Sequence, residues 1–123
     1  MKITAEELIV NGVTYVPKSQ AQAAAPAVDG LPLVVIRAAR SGVHYGYLKS
    51  RTGQEVELVN ARRVWYWAGA CSLSQLAKDG TAQPKECRIT VPVAAITVLE
   101  VIEIIPVTSE AQKSIDGVSV WKQ

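Results

Sequence analysis

Runs of apolar residues, many of them β-branched, dominate the chain from residue 31 onward and predict a protein built mainly of β-strands. The alternation is clearest where Val56 and Leu58 alternate with Glu55 and Glu57, because successive side chains of a strand point to opposite faces. Short breaks that contain glycine separate the runs. Four strands are therefore predicted in the first half of this region, at residues 33–37, 43–50, 54–60 and 63–67.

The C-terminal half carries a less uniform strand signal. Residues 88–93 are strand-like, but Pro92 lacks an N–H for a ladder and predicts a sheet edge or a bulge. Residues 96–105 form a long apolar run whose β-branched content favours a single strand, with a helix as the alternative. Residues 118–121 are predicted either as a last strand or as a docked tail.

Capping signals predict two short helices. Ser72 is followed three residues later by Gln75, which is the capping-box spacing, and Asp79-Gly80 ends this helix. A second box lies within Thr108-Ser109-Glu-Ala-Gln112, and its helix ends at Asp116-Gly117. Together with the strands, these helices predict an α+β domain, mainly antiparallel β-sheet.

The N-terminal region reads differently from the rest. Asn11-Gly12 between apolar runs predicts a β-hairpin arm over residues 1–17, because both central residues of such a turn need positive φ. Residues 18–30 are rich in alanine and proline and predict a linker; an alanine helix is the competitor, but Pro26 would cut it short. The main domain is then expected over residues 31–123, with the arm docked elsewhere because an isolated hairpin is only marginally stable.

Composition narrows the class of protein. At 123 residues and 49% hydrophobic content, one domain with a real core is expected. There is no apolar run long enough for a membrane span, the N-terminus does not resemble a signal peptide, and two cysteines are too few for a disulfide scaffold. We therefore expect a cytoplasmic protein with free thiols. A net charge of +2 argues against a protein that coats long nucleic acid.

Residues 37–67 concentrate the candidate binding chemistry. This segment holds six of the thirteen basic residues but only two of the eleven acidic ones, together with five of the seven aromatic residues and the single histidine. Arginine, aromatic rings and glycine in one segment suit a ligand that contains phosphate and a base. The alternative is a solvated basic face with ordinary cross-strand packing of the rings.

Two short motifs in this segment are candidate anion sites. At Arg40-Ser41-Gly42 a strand break exposes backbone N–H groups beside an arginine, which is the arrangement of an anion-binding nest. Arg62 and Arg63 are adjacent and should point to opposite faces of a strand. One of them would then approach a phosphate while the other pairs with Glu55 or Glu57.

The remaining candidates would contact a base or form the second wall of a site. His44 is expected either to play a structural role or to bind a base or phosphate. Tyr45 and Tyr47 lie two apart and share a face, where they either pack across strands or stack on a ligand. Asn60 would supply polar contacts and Arg88 is a weaker candidate. Of the rings at residues 65–67, at least one should be core and another is a candidate for a subunit interface.

No catalytic signature matches this segment in strength. One histidine excludes a multi-histidine metal site, and the glycines of the segment do not precede a helix as a dinucleotide fingerprint requires. A pair of His44 with Cys71 or Cys87 stays possible, although no local pattern supports it. We therefore expect a binding protein without metal or cofactor, and not an enzyme.

The chain resembles small phage and prophage proteins in a pattern that begins at Arg40: Arg-Ser-Gly-Val-His-Tyr-Gly-Tyr-Leu-Lys-Ser-Arg-x-Gly-x-Glu-Val-x-Leu-x-Asn-Ala-Arg-Arg-Val-Trp-Tyr-Trp, followed by Ser-Leu-Ser-Gln-Leu-Ala at residues 72–77. It is similar to the phage Thoeris anti-defence sponge family of the first described type. The resemblance covers about residues 34–123, and residues 60–67 and 72–77 are its most distinctive parts. The N-terminal hairpin and linker lie outside it.

The resemblance implies a protein that sequesters immune signals in the host bacterial cytoplasm without cleaving them. The implied ligands are cyclic ADP-ribose-type signals made by bacterial TIR enzymes and, for some members, cyclic oligonucleotides of the CBASS defence system at separate sites. It also implies a homo-oligomer in which dimers assemble to a hexamer. From the physical properties of the residues, the candidate ligand contacts are Arg40, Ser41, Gly42, His44, Tyr45, Tyr47, Asn60, Arg62, Arg63 and Arg88.

Two other functions stay open at the level of sequence. The same basic and aromatic stretch would serve a phage nucleic-acid-binding or scaffold protein, by stacking and charge on single strands. A small hydrolase of nucleotide ligands is the third possibility, and the missing catalytic constellation disfavours it.

Overall fold

The computed structural model describes residues 23–122, and the predicted hairpin arm and the start of the linker lie outside this range. It confirms the predicted α+β class: six antiparallel strands form one sheet, accompanied by two helices and a short 3₁₀ turn at Pro84–Glu86. The strands are β1 (Leu33–Ala38), β2 (Gly42–Thr52), β3 (Glu55–Tyr66), β4 (Arg88–Ile89), β5 (Val93–Val98) and β6 (Val101–Pro106). The helices are α1 (Leu73–Asp79) and α2 (Ser109–Asp116).

The sheet curls so that its two edges approach each other at one corner. Its order is β4-β3-β2-β1-β6, and β5 pairs with β3 alongside the short β4. Only Leu99 and Glu100 separate β5 on one edge from β6 on the other. Backbone hydrogen bonds connect this corner to two turns. In the turn between β1 and β2, Ala39 N donates to Glu100 O at 2.9 Å, and Val101 N donates to Gln54 O, in the turn between β2 and β3, at 2.9 Å.

The curled sheet has two apolar faces and therefore two cores. The inner core fills the concave side and consists of Val34, Ile36, Ala38, Val56, Leu58, Ala61, Val98 and Val101. The helix-side core lies between the other face and the helices and includes Val35, Val43, Tyr45, Val64, Leu76, Ile89, Ala111 and Ile115. Both faces of β1 are buried, which explains why its sequence is a continuous apolar run instead of an alternating one.

The prediction of separate strands at 54–60 and 63–67 is wrong, because β3 runs unbroken through both. The irregularity that the sequence suggested is a bulge at Asn60, where φ is +48°, and the register with β2 shifts at this point. Gly46 lies opposite the bulge, and a Cβ there would meet the Ala61 Cα at 2.9 Å. The bulge therefore keeps Val56, Leu58 and Ala61 all in the inner core, although regular alternation would turn Ala61 outward.

The predicted single strand at 96–105 is also wrong, because the run contains the corner between β5 and β6. β-branched residues on both sides of the corner hide it in the sequence, and the turn uses Glu100 at φ +59° in place of a glycine. Residues 88–93 likewise divide into β4 and the start of β5, with Pro92 in the break.

Both predicted helices form, and their caps differ. At α1 the predicted box is present: Gln75 N donates to Ser72 Oγ at 3.1 Å, while Gln75 Oε1 accepts from Cys71 N at 2.7 Å. At α2 the cap is Thr108, which accepts from Ala111 N at 3.1 Å. A capping box between Ser109 and Gln112 is therefore not formed, because the helix begins one residue earlier, with Thr108 as its N-cap.

Residues on either side of the domain pack onto it. Ala25 is buried in the helix-side core, its N–H donates to Val107 O at 2.9 Å, and Ser109 Oγ donates to Ala24 O at 3.0 Å. At the other end Trp121 N donates to Ile89 O at 2.9 Å, so residues 118–121 form a docked tail. Among residues 23–122 no helix has the length and apolar character needed to cross a bilayer.

Candidate functional site

Four of the candidate residues come together at one end of the concave face. Arg40 and Ser41 lie in the turn between β1 and β2, His44 lies on β2, and Arg63 is its direct cross-strand partner on β3. β5 forms the opposite wall through Ile96 and its neighbours. We call this surface the basic groove and define it by Arg40, Ser41, His44, Arg63, Ile96 and Glu100.

The basic groove consists of two adjoining cavities that share His44, Arg63 and Ile96. The larger has a volume of about 450 Å³ and is lined on its polar side by Arg40, Ser41, Thr97 and Glu100. The smaller has a volume of about 240 Å³ and a more apolar lining that includes Ala61, Val91 and Val93. The larger alone falls within the usual size range of a small-molecule site, and Arg63 lies where it joins the smaller cavity.

His44 is a neutral polar group at the floor of the groove. Its side chain is 1% exposed, and its Nε2 lies 3.0 Å from the Ser41 Oγ. Burial, reinforced by the positive charge of Arg63, lowers the pKa of His44 from its ordinary 6.5 to about 4. The imidazole therefore adds hydrogen-bonding capacity to the site without adding charge at neutral pH.

The two arginines of the groove differ in how their charge is balanced. Arg40 Nε lies 3.3 Å from Glu100 Oε1, with the Arg40 side chain 87% exposed. Arg63 is exposed, and within residues 23–122 no carboxylate lies within ion-pair distance of its guanidinium. Its backbone is fixed, because Arg63 N donates to Thr90 Oγ1 at 3.1 Å and Thr90 N donates to Arg63 O at 3.0 Å. Arg63 thus presents to the groove a positioned cation that no carboxylate among residues 23–122 compensates.

Glu100 belongs to this site, and the sequence analysis missed it. It lines the larger cavity and is brought to Arg40 by the corner between β5 and β6. The available signal was an acidic residue within the apolar run at 96–105. Because the run was interpreted as one strand, Glu100 was placed in the middle of an element instead of at a turn.

Two other candidates lie on the helix side, where they bond to protein groups. Tyr45 is buried, and its hydroxyl donates to Asp116 Oδ1 at 2.8 Å. Burial, reinforced by this hydrogen bond, raises the pKa of Tyr45 well above its usual range. Arg62 borders the smaller cavity, but its guanidinium donates to the carbonyl oxygens of Thr90 (2.8 Å), Ile89 (3.1 Å) and Val118 (3.4 Å). These bonds connect β3 to β4 and the tail.

Arg62 and Arg63 do point to opposite faces, as expected. The ion pair predicted for the arginine that does not face the ligand site, which is Arg62, is wrong. Neither Glu55 nor Glu57 is the partner of Arg62, whose guanidinium is satisfied by carbonyl oxygens. Glu57 lies instead 3.8 Å from Lys49. Neutral acceptors hydrogen-bond this guanidinium, and the negative charge of the nearby Asp116 opposes the lowering of the Arg62 pKa by burial.

Three further candidates lie apart from the basic groove. Tyr47 packs against the helix-side core, and its hydroxyl accepts from Gln112 Nε2 at 3.3 Å. Asn60 is exposed at the bulge. Gly42 begins β2 at φ +88°, a conformation that glycine adopts without strain, and it allows the turn that carries Ser41.

Arg88 forms part of a separate aromatic cluster at the end of β3. The rings of Trp65 and Trp121 stack with centroids 5.1 Å apart and an angle of 28° between their planes. The Arg88 guanidinium lies 5.5 Å and 5.6 Å from the two ring centroids. Of the three rings at residues 65–67, Trp67 packs against the helix-side core, whereas Trp65 is 57% and Tyr66 51% exposed.

The groove offers little support for metal or nucleophilic chemistry. Within residues 23–122 no group of three metal-ligating side chains is assembled. Cys87 is buried with its Sγ near the carbonyl oxygens of Ala68 and Gln83, and His44 contacts Ser41 instead of a cysteine. A serine beside a histidine is a feature of some catalytic sites, but an imidazole with a pKa near 4 is a weak base at neutral pH.

Residues 31–115 match the family model described as a domain of unknown function, DUF6948. The chain belongs to the DUF6948 family. The matched range of this DUF6948 protein contains the whole basic groove and both helices except the last residue of α2. No curated protein and no solved structure matches the chain.

Proposed function

We propose that this DUF6948 protein is a phage anti-defence sponge of the Thoeris type, which binds cyclic nucleotide immune signals and sequesters them without cleavage. The ligands would be cyclic ADP-ribose isomers made by TIR enzymes and, as a further class, CBASS cyclic oligonucleotides, captured in the host bacterial cytoplasm. The observation that supports the proposal is the guanidinium of Arg63, which has no ion-pair partner among residues 23–122 and lies where the two cavities join.

The larger cavity, which holds the charged side chains, suits the phosphates of such a ligand. A guanidinium presents N–H groups in a fork that matches phosphate oxygens, and Arg40 lies in the same cavity as Arg63. The Ser41 hydroxyl is half-buried there and held beside His44. Two arginines and one carboxylate line this cavity, so its net positive charge favours an anion over a neutral sugar.

The smaller cavity suits the base of the nucleotide. Ala61, Val91, Val93 and Ile96 offer an aliphatic surface next to Arg63, so a planar ring and its phosphate would be bound together. A cyclic ligand also loses little conformational freedom on binding, which permits high affinity in a site of modest size.

Capture without turnover is consistent with the weak basicity of His44. Hydrolysis of a glycosidic or phosphodiester bond needs an acid or base with a pKa near the working pH, or a metal-activated water. The only imidazole of the chain has a pKa of about 4 and is buried.

The proposal is tested by incubating the purified protein with cyclic ADP-ribose isomers and then heating it. We expect the ligand to disappear from the filtrate on mixing and to return chemically intact after denaturation, as measured by chromatography with mass spectrometry. Release of a changed molecule would indicate an enzyme. No depletion of any cyclic nucleotide at micromolar protein would refute the proposal.

We also propose that the protein is a homo-oligomer. β5 pairs with β3 alone among the described strands, it carries no charged residue, and Val93 is 44% and Leu99 59% exposed beside it. Natural edge strands usually carry charge, proline or a covering segment, because an open edge pairs with other strands. β6 carries the charged Glu103, and residues 23–25 pair with the chain just beyond its end, whereas β5 has no charged residue.

Light scattering tests this part of the proposal. We expect a dimer or a larger assembly of dimers, such as the hexamer that the resemblance implies, and Ala95→Asp in β5 should dissociate it by placing like charges at the contact. The matched control is Ala82→Asp, at an exposed alanine away from β5. A monomeric wild-type protein would contradict the proposed assembly.

The exposed Trp65–Trp121–Arg88 cluster favours a second candidate function, that of a phage nucleic-acid-binding or scaffold protein. Bases stack on exposed aromatic rings and phosphates follow the nearby cations. Binding of single-stranded oligonucleotides that weakens steeply with salt and is lost in Trp65→Ala, without binding of cyclic nucleotides, would favour this second function.

A further inference from the structure

We infer that Glu100 is a specificity-determining residue of the basic groove, which selects ligands that carry ribose hydroxyls beside their phosphate. The inference rests on the proposed nucleotide-binding function and names the part of the ligand that an acidic side chain would recognise. It assigns a role to a residue that neither composition nor motif indicated.

The position of Glu100 is the first observation. The two-residue connection between β5 and β6 brings it into the larger cavity together with Ser41 and Arg63. Its carboxylate lies 3.3 Å from the Arg40 Nε and is 46% exposed, so it is accessible to a ligand in the groove. An acidic group at this place lowers the positive potential that would attract an anion, and its presence therefore needs a reason.

The backbone of Glu100 is the second observation. Three residues other than glycine have positive φ within residues 23–122, namely Asp29, Asn60 and Glu100. Aspartate and asparagine are enriched in this conformation because their short side chains bond locally to the backbone, whereas glutamate has no such advantage. A glycine would fit the corner with less strain, so glutamate at this position carries a conformational cost.

A purely structural role does not account for that cost. The ion pair with Arg40 joins two exposed side chains, and pairs of this kind contribute little to stability. The tie that fixes the corner is made by the Glu100 main chain, which accepts from Ala39 N at 2.9 Å and would do so with any side chain.

The chemistry of a carboxylate then identifies the ligand group. An ionised carboxylate only accepts hydrogen bonds, so it recognises hydroxyl or N–H donors and repels phosphate. In nucleotide sites of the dinucleotide-binding fold an acidic residue accepts from the ribose hydroxyl while the phosphates bind elsewhere. Glu100, Arg40 and Arg63 offer the same division of labour: the arginines bind phosphate, and Glu100 accepts from the adjacent ribose.

The test compares two probes that differ only in the ribose hydroxyls, ADP and 2′,3′-dideoxy-ADP, by titration calorimetry at fixed salt. For the wild-type protein we expect ADP to bind about tenfold more tightly or more, the size of a hydrogen bond to a charged group. In Glu100→Gln the preference should fall to about twofold or less, since amide and hydroxyl form a weaker, neutral pair. The matched control is Glu103→Gln, because Glu103 pairs with Arg37 at 3.1 Å outside the groove, and it should keep the full preference.

A second variant separates recognition from folding. Glu100→Gly removes the carboxylate and also relieves the positive φ, so its Tm should equal or exceed that of the wild-type protein while the preference for ADP is lost. If Glu100→Gly unfolds at a lower temperature and Glu100→Gln keeps the preference, Glu100 is structural and the inference is wrong.

The outcomes also separate the inference from the proposed function. Equal affinity of the wild-type protein for the two probes, or binding of neither, overturns the role of Glu100, whether or not cyclic ADP-ribose is captured. A clear preference for ADP without capture of any cyclic nucleotide would retain ribose recognition and refute the sponge.

Discussion

His44 and Arg63 lie directly opposite each other across β2 and β3, so that a buried imidazole and an uncompensated guanidinium share one cavity. The neighbouring positions reverse this arrangement: Tyr45 is opposite Arg62, and both are bonded to protein groups on the helix side. Two adjacent cross-strand pairs therefore differ in their surroundings: one borders the groove, and the other is hydrogen-bonded to protein groups on the helix side.

Substitution of the two adjacent arginines should separate these roles. Arg63→Ala, like Arg40→Ala, should abolish capture of cyclic nucleotides and leave the free energy of unfolding within about 0.5 kcal/mol of the wild-type value. Arg62→Ala should cost roughly 2–3 kcal/mol of stability, because three carbonyl oxygens lose a charged donor. Calorimetric binding and urea denaturation of the variants provide the measurements, and wild-type affinity in both Arg63→Ala and Arg40→Ala would show that the site lies elsewhere.

Tyr45 offers a test of whether a ring in the segment is structural or binds ligand. Tyr45→Phe removes the hydrogen bond to Asp116 but keeps the ring, so stability should fall by about 1 kcal/mol with ligand affinity unchanged. Asp116→Asn is the matched change on the other side of the bond and should have a similar, non-additive effect. A loss of ligand affinity in Tyr45→Phe would contradict the helix-side assignment of this residue.

The lowered pKa of His44 should make stability depend on pH. Above pH 6.5 the imidazole is neutral in the folded and the unfolded chain, so it contributes no pH dependence. Between pH 6.5 and its folded pKa of about 4, only the unfolded chain takes up the proton, and stability falls as pH falls. The expected loss from pH 7 to pH 5 is roughly 2 kcal/mol.

The comparison with His44→Gln isolates this contribution. Carboxylates titrate in both proteins, so the difference between their denaturation curves at pH 7 and pH 5 reports the histidine alone. We expect the variant to lose less stability over this range. Parallel losses would mean that His44 takes up a proton in the folded state as readily as in the unfolded chain.

Close backbone contact at the bulge predicts that Gly46 cannot be replaced. In Gly46→Ala the new Cβ would lie 2.9 Å from the Ala61 Cα, which must move, at a cost of roughly 1–3 kcal/mol. Ser50→Ala at an exposed position of the same strand should change stability by less than about 0.5 kcal/mol. Thermal unfolding of both variants is sufficient, and equal melting temperatures would show that the bulge adjusts without strain.

Elements with a regular pattern of apolar and polar residues could be predicted from the sequence. Turns and bulges that interrupt an apolar run could not. The alternation around Val56 and Leu58 identified β3, and the Ser72–Gln75 spacing identified α1 and its cap. The corner at Leu99–Glu100 was hidden because the residues on both sides are equally apolar and β-branched. A turn that uses glutamate at positive φ has no sequence signature.

The candidate site was predicted as a set of residues and not as a surface. Arg40, Ser41, His44 and Arg63 do share the basic groove, because strand pairing brings the turn after β1 next to the C-terminal part of β3. The contribution of β5 could not be foreseen, since it requires the sheet to curl. Likewise, adjacency alone indicated that the two arginines diverge, but not which of them faces the helices.

That choice is made by the bulge at Asn60, which fixes the phase of everything that follows it in β3. Deletion of this one residue would remove the bulge and leave the downstream faces unchanged, because Ala61 would then follow Val59 in regular alternation and Arg63 would still face the groove. A relative that lacks one residue here would therefore keep the same orientation of both arginines without a bulge. An alignment that places its gap beyond the two arginines would compare side chains that point to opposite faces.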